Sequence, residues 1–165
     1  TTCRRHIHRN PELSFEEHAT ADYVAGILKS EGIAYTSIAG TGVLAKIEGT
    51  GDLKNALVLR ADMDALPVSE ETGAEFASAN EGVMHACGHD MHTSVLLGAL
   101  KRINRHKDKF SGTIFGLFQP GEELCPGGAS LVLTEKPFDG DNVLAGIGEH
   151  VETDLATGTF GFAAG

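Results

Sequence analysis

The chain has 165 residues, 41% hydrophobic and 22% charged, with a formal net charge of −10. This is the composition of a globular domain with a real core and not of a disordered chain; no apolar stretch approaches the ~20 residues of a membrane-spanning helix. The acidic balance argues against a nucleic-acid partner. Three cysteines, Cys3, Cys87 and Cys125, are too few and too odd in number for a disulfide framework, so a reduced, cytoplasmic setting is expected. The chain opens on Thr1, so the lack of a visible signal peptide carries little weight.

Arg4, Arg5, His6, His8 and Arg9 make a basic start, read as one solvated helix face and broken at Pro11. Ser14-Phe15-Glu16-Glu17 fits a capping box, and Ala21, Val24, Ala25 and Leu28 follow at helical spacing, so a helix is expected over 15–31. Gly32 is placed to end it as a left-handed cap. Strands over 34–38 and 43–48, joined by Ala39-Gly40-Thr41-Gly42, predict a hairpin. Residues 55–61 read as a buried strand ending on Asp62-Met63-Asp64, and 67–83 as a polar, lid-like loop. A helix over 93–105, a strand over 113–118, a short helix over 129–134 and strands over 142–147 and 158–162 complete the pattern. Strands alternating with helices give an α/β class.

The densest chemistry lies in Met84-His85-Ala86-Cys87-Gly88-His89-Asp90-Met91-His92, where three histidines, one cysteine and one aspartate stand at a helix entrance. Thiolate, imidazole and carboxylate are ligands for zinc, manganese, cobalt or nickel. The bland alternatives are a histidine-rich solvated loop and an inert buried thiol. Cys87 and His89, two apart and read as lying on a loop, can reach one ion or a close pair, with the thiolate as a plausible bridge. Glu123 offers an oxygen and His150 a second nitrogen. Three or four protein ligands with an open position describe a catalytic site rather than a closed structural one. Asp62 and Asp64, Glu122 and Glu123, and His150 each follow a buried strand. In open α/β sheets such carboxyl ends converge on the ligand crevice. Of the adjacent Glu122 and Glu123, one can ligate while the other moves a proton from water to a leaving amine. Asp64 reads as a support that orients a ligating imidazole. A dehalogenase-type aspartate pair is the competing reading of Asp62 and Asp64, but Ala65-Leu66-Pro67 departs from its pattern and the metal cluster would go unexplained. His18, His92 and His106 are read as surface or structural.

Leu59-Arg60-Ala61-Asp62-Met63-Asp64-Ala65-Leu66-Pro67, Met84-His85-Ala86-Cys87-Gly88-His89-Asp90, and Gln119-Pro120-Gly121-Glu122-Glu123 with Gly127-Gly128-Ala129 resemble the metal-dependent amidohydrolases around hippurate hydrolase. N-acyl-amino-acid amidohydrolases and plant auxin-conjugate hydrolases belong to the same group. The opening Arg5-His6-Ile7-His8 with Pro11-Glu12-Leu13-Ser14 looks like that group's N-terminus, so the resemblance covers essentially the whole chain. It implies an aminopeptidase-like, three-layer α/β catalytic domain with a mixed sheet. It also implies two divalent ions (zinc, manganese, cobalt or nickel) held by Cys87, His89, Glu123 and His150, with Glu122 as general base. Glu149 stands where the family usually has an apolar residue. Family members continue into a lid and dimerisation domain and then return with a last metal-ligating histidine. Residues 1–165 are therefore expected to be the N-terminal portion of a single zinc-peptidase-like catalytic domain, inactive or weakly active alone. The full-length form is expected to be a homo-oligomer through the lid. The implied reaction is hydrolysis of the amide of a small N-acyl amino acid. The alternatives are a dipeptidase or carboxypeptidase-type exopeptidase, and a non-catalytic metal-binding module.

Overall fold

A computed structural model describes residues 1–162. Side chains alternate across each strand, and that alternation divides the core in two. On β2 (Gly42–Glu48), Val43, Ala45 and Ile47 face a core shared with Val24, Leu28, Leu96, Leu97, Leu100 and Phe118. Leu44 faces the opposite core, with Ala56, Val58, Phe115, Leu117 and Val132. The first core is roofed by α2 (His18–Ser30) and α3 (His89–Asn104), the second by the short α4 (Gly128–Thr134). Helices on both faces of a sheet make the three-layer α/β fold expected from the sequence.

Among the described residues the sheet has five strands in the order β1-β2-β4-β3-β5, where β1 is Ala34–Ile38, β3 Asn55–Asp62, β4 Thr113–Gln119 and β5 Asn142–Gly148. The hairpin β1–β2 is antiparallel, and so is β2–β4, whereas β3 runs parallel to both β4 and β5. The sheet is therefore mixed. From β3 the chain crosses through α3 to β4, then returns through α4, past β3, to β5. Connections in opposite directions require helices on opposite faces if both are right-handed, which is the arrangement seen. The carboxyl ends of β3, β4 and β5 consequently share one edge, and the polar segments that follow them meet there.

Several local expectations are corrected. The basic start is α1 (Thr2–Arg9), but it is not a solvated face: Ile7 and His8 are buried, and Arg4 pairs with the buried Asp90 at 2.8 Å. The capping box does not form. Ser14 donates to Asp64 instead, and α2 begins at His18, where the Glu12 carboxylate accepts the Ala19 and Thr20 amides at 3.0 and 2.7 Å. A carboxylate held over a helix N-terminus satisfies the same orphan amides and complements the helix dipole. Gly32 does take the left-handed conformation after α2, at φ +66°. Residues 67–83 carry no regular strand or helix, but they are pinned to α1 and the turn after it: Ala79 N–H donates to Arg9 O at 2.8 Å, and the Asn80 side chain to Pro11 O at 2.7 Å. They do not form a free lid. No strand forms over 158–162, where Phe160 and Phe162 are exposed.

Candidate metal centre

α3 starts inside the ligand cluster and not after it. Gly88 takes φ +86° as the residue before the helix, a conformation that suits glycine, and His89 is already in the first turn. The predicted loop therefore holds Cys87 but not His89. His89 and His92, three apart, now share one helix face.

His89 is fully buried. Its Nδ1 is 3.2 Å from Asp64 Oδ1. Among the described residues its Nε2 is unpaired, and it lies 3.7 Å from Glu123 Oε1, 3.7 Å from Asp62 Oδ1 and 4.0 Å from Glu122 Oε2. Asp64 also accepts Ser14 Oγ–H at 2.6 Å and the Glu123 amide at 3.0 Å, so one carboxylate joins the turn before α2, the helix entrance and the loop after β4. Burial raises the Asp64 pKa, but the hydrogen bonds from His89, Ser14 and the Glu122–Glu123 amides outweigh it and hold the carboxyl well below its ordinary range. An ionised Asp64 holds a His89 proton on Nδ1, so Nε2 is the nitrogen that is available to an ion. Burial lowers the pKa of His89, while Asp64 and Asp62 more than reverse that effect and raise it.

Cys87 Sγ is 3.3 Å from His150 Nε2. Burial pushes the Cys87 thiol up to about 12, helped by a hydrogen bond to Glu123 and by the charges of Glu123, Asp62 and Glu122. An electropositive centre among these carboxylates would reverse that balance and favour the thiolate. His150 Nδ1 donates to Val151 O at 2.6 Å, which leaves its Nε2 free of a proton.

All of the residues singled out from the sequence are thus drawn to one place: Asp64, Cys87, His89, Glu122, Glu123 and His150. Among the described residues three sets of donor atoms lie within 4.8 Å of one another: Cys87, His89 and His150; His89, Glu122 and Glu123; and Asp62, His89 and His92. Donors around one tetrahedral ion, each ~2.0–2.3 Å from it, sit roughly 3.3–3.7 Å apart. The Cys87–His150 separation of 3.3 Å and the His89–Glu123 separation of 3.7 Å match that spacing, and the buried Nε2 of His89 is the kind of atom that an ion satisfies. The donor set therefore fits divalent metal.

The sequence reading missed the parts played by His92, Arg60 and Glu17. His92 is buried, with Nδ1 2.6 Å from Asp62 Oδ1. Asp62 is further held by Arg60 at 2.7 Å. Glu17, buried just before α2, accepts the Gly121 amide at 2.7 Å. For His92 the signal was present: placing the helix start at His89 puts His89 and His92 on one face. His18 and His106 are exposed, as read from the sequence.

Comparison with known proteins agrees with this geometry. Residues 58–165 match the model of peptidase family M20/M25/M40, and the chain belongs to that family. It is 45% identical to an N-acetyl-L-cysteine deacetylase of Bacillus subtilis, over 98% of this chain and 38% of that protein. Against an N-acyl-L-amino acid amidohydrolase of Geobacillus stearothermophilus the identity is again 45%, over 98% of this chain and 43% of the relative. The crystal structure of the Bacillus subtilis YxeP protein, described as a dinuclear metal-binding peptidase of the M20 family, superposes with a TM-score of 0.92 at 39% identity, covering 99% of this chain and 46% of that one. The chain thus spans less than half the length of these relatives. Among the described residues no helix is long and apolar enough to cross a membrane.

Proposed function

We propose that this chain supplies the metal-binding part of a hydrolase that cleaves the amide bond of small N-acyl amino acids. One observation carries the reading: the buried, partnerless Nε2 of His89 faces the Glu122–Glu123 pair on one side and stands beside Cys87 and His150 on the other. Cys87, His89, Glu123 and His150 are the protein ligands of a site for two divalent ions, with zinc, manganese, cobalt and nickel the metals that this donor set suits. Bound there, divalent metal supplies Lewis acidity, polarising an amide carbonyl and lowering the pKa of water. The remaining work falls to side chains. Asp64 holds His89 in the tautomer that presents Nε2. Glu122, which is 41% exposed and makes no side-chain hydrogen bond among the described residues, takes a proton from the attacking water and delivers it to the departing amine nitrogen. The two relatives named for action on N-acyl amino acids support this substrate class for the complete protein, as does the dinuclear site named for YxeP.

The test is an assay of the complete protein, loaded in turn with zinc, manganese, cobalt or nickel, on N-acetyl and N-benzoyl amino acids and on unblocked dipeptides. Metal-dependent release of amino acid from the acylated panel is expected. Preference for dipeptides would move the reading to an exopeptidase. Stoichiometric metal uptake with no turnover on either panel would leave only a metal-binding module.

A further inference from the structure

We infer that His92 is a positioning residue for His150, acting through the backbone of Val151; the inference rests on the metal-centre reading above and deepens it. His92 sits in the first turn of α3 with no solvent exposure. Its Nε2 accepts the Val151 amide at 3.0 Å, and its Nδ1 lies 2.6 Å from Asp62 Oδ1. A backbone amide only donates, so Nε2 carries the lone pair and Nδ1 the ring proton, which is given to Asp62. Both ring nitrogens are then committed. His92 has no lone pair left for an ion, although its position beside Asp62 and His89 would allow one. Its distances therefore assign it to the support of the site and not to its ligands.

The other backbone group of Val151 completes the path. Its carbonyl accepts His150 Nδ1–H at 2.6 Å. A carbonyl only accepts, so the His150 proton is held on Nδ1 and its Nε2 is turned, unprotonated, to Cys87 Sγ at 3.3 Å. The Val151 side chain adds a second anchor: a Cβ placed on Gly88 would lie 2.4 Å from Val151 Cγ2. Gly88 is the residue between Cys87 and His89. This docking matters because the pairing of β5 with β3 ends at Arg60–Gly148, and His150 beyond it is exposed. From Asp62 through His92 and Val151 to His150, one chain of hydrogen bonds fixes both the tautomer and the direction of an exposed ligand. Metal-binding histidines depend on such outer partners, whose loss typically costs 10–100-fold in affinity.

Two measurements on the 165-residue chain decide this. The first is long-range 1H–15N correlation spectroscopy of the histidine-labelled, metal-free protein, with the His92 signal assigned by nuclear Overhauser contacts and by its loss in His92→Asn. A proton on Nδ1 is expected; a proton on Nε2 overturns the inference. The second is cobalt titration, following the thiolate-to-cobalt charge-transfer absorption that reports Cys87. His92→Asn keeps a donor for Asp62 but removes the acceptor for Val151, and should weaken cobalt binding about 10–100-fold. His92→Gln, whose amide oxygen can take the place of Nε2, should recover most of that loss. His150→Ala should weaken binding at least as much as His92→Asn, and the double variant no more than His150→Ala alone, because His92 acts through His150. Additive losses, or wild-type affinity in His92→Asn, overturn the inference while leaving the metal centre standing. Failure of the wild-type chain to bind cobalt overturns the metal-centre reading and this inference with it.

Discussion

The Glu17 carboxylate accepts the amide of Gly121 at 2.7 Å, tying the residue before α2 to the loop that carries Glu122 and Glu123. Its second oxygen accepts the Thr41 hydroxyl from the β1–β2 turn. Glu17 has no solvent exposure, so neither donor can turn to water if the carboxylate is lost. Leaving a buried donor unpaired costs about 1–3 kcal/mol. Glu17→Ala should therefore lower the unfolding free energy by about 2–4 kcal/mol, read from urea denaturation, and should loosen the loop enough to reduce retained metal. A variant within about 0.5 kcal/mol of wild type would show that the clamp is not needed for stability.

Cys87→Ser removes a ligand while barely changing volume. A hydroxyl gives up its proton far less readily than a thiol, and it is a poorer partner for zinc, cobalt or nickel. Metal content after dialysis, measured by elemental analysis, should fall to a small fraction of that of wild type. Unchanged content would remove Cys87 from the site.

Glu122→Gln, made in the complete protein, separates chemistry from binding. The amide keeps the shape but carries no titratable proton. General acid–base groups typically contribute ~10²–10⁴-fold, so kcat should drop by that factor while metal content and thermal unfolding stay at wild-type values. Near-normal turnover would exclude Glu122 as the proton carrier.

Much of the fold was legible because its physics is local. β3 and β4 are covered on both faces and read as apolar runs, and the acidic residues after them mark their carboxyl ends. Four of the residues read from motifs, Cys87, His89, Glu123 and His150, do meet in space. What escaped depends on contacts distant in sequence. Ser14 has the spacing of a capping box, yet its hydroxyl serves Asp64, fifty positions away, and Glu12 caps α2 in its place. No local rule distinguishes those outcomes. His92 reads as a lone histidine when the helix is started at Thr93, beyond the histidine pair; the left-handed Gly88 sets the true start without any side-chain cap. Residues 158–162 have the alternation of a strand, but no described strand lies alongside to pair with them.

The loop 67–83 should respond to acid through Glu70. This carboxylate accepts the Ser78 amide at 2.6 Å and also faces Thr72 Oγ and His8 Nε2. Burial works to raise its pKa, but the bonds from Thr72, Ser78 and His8 prevail and hold it at about 2, against an ordinary 4.5. A depressed folded-state pKa means the stabilisation is fully present above 4.5 and is lost as the pH falls toward 2. Unfolding free energy measured from pH 6 down to pH 2 should decline more steeply in wild type than in Glu70→Gln. Parallel curves would show that Glu70 gains nothing from these contacts.

β5 governs how the 165-residue chain behaves in solution. It hydrogen-bonds to β3 along one edge only, and it stands last in the order of described strands. Its side chains are exposed on both faces, with Leu144 at 63% and Ile147 at 57% of full exposure. A strand edge with open backbone donors and acceptors, flanked by exposed leucine and isoleucine, is a template for pairing with another chain. The 165-residue chain should therefore self-associate as concentration rises, detectable as an increase in weight-average mass by sedimentation equilibrium. Leu144→Lys places a charge on that edge without touching the buried cores, so it should shift the equilibrium back toward monomer while leaving the unfolding free energy within about 0.5 kcal/mol of wild type. A wild-type chain that stays monomeric at all concentrations, or a variant that associates just as strongly, would show that the β5 edge is not the point of contact.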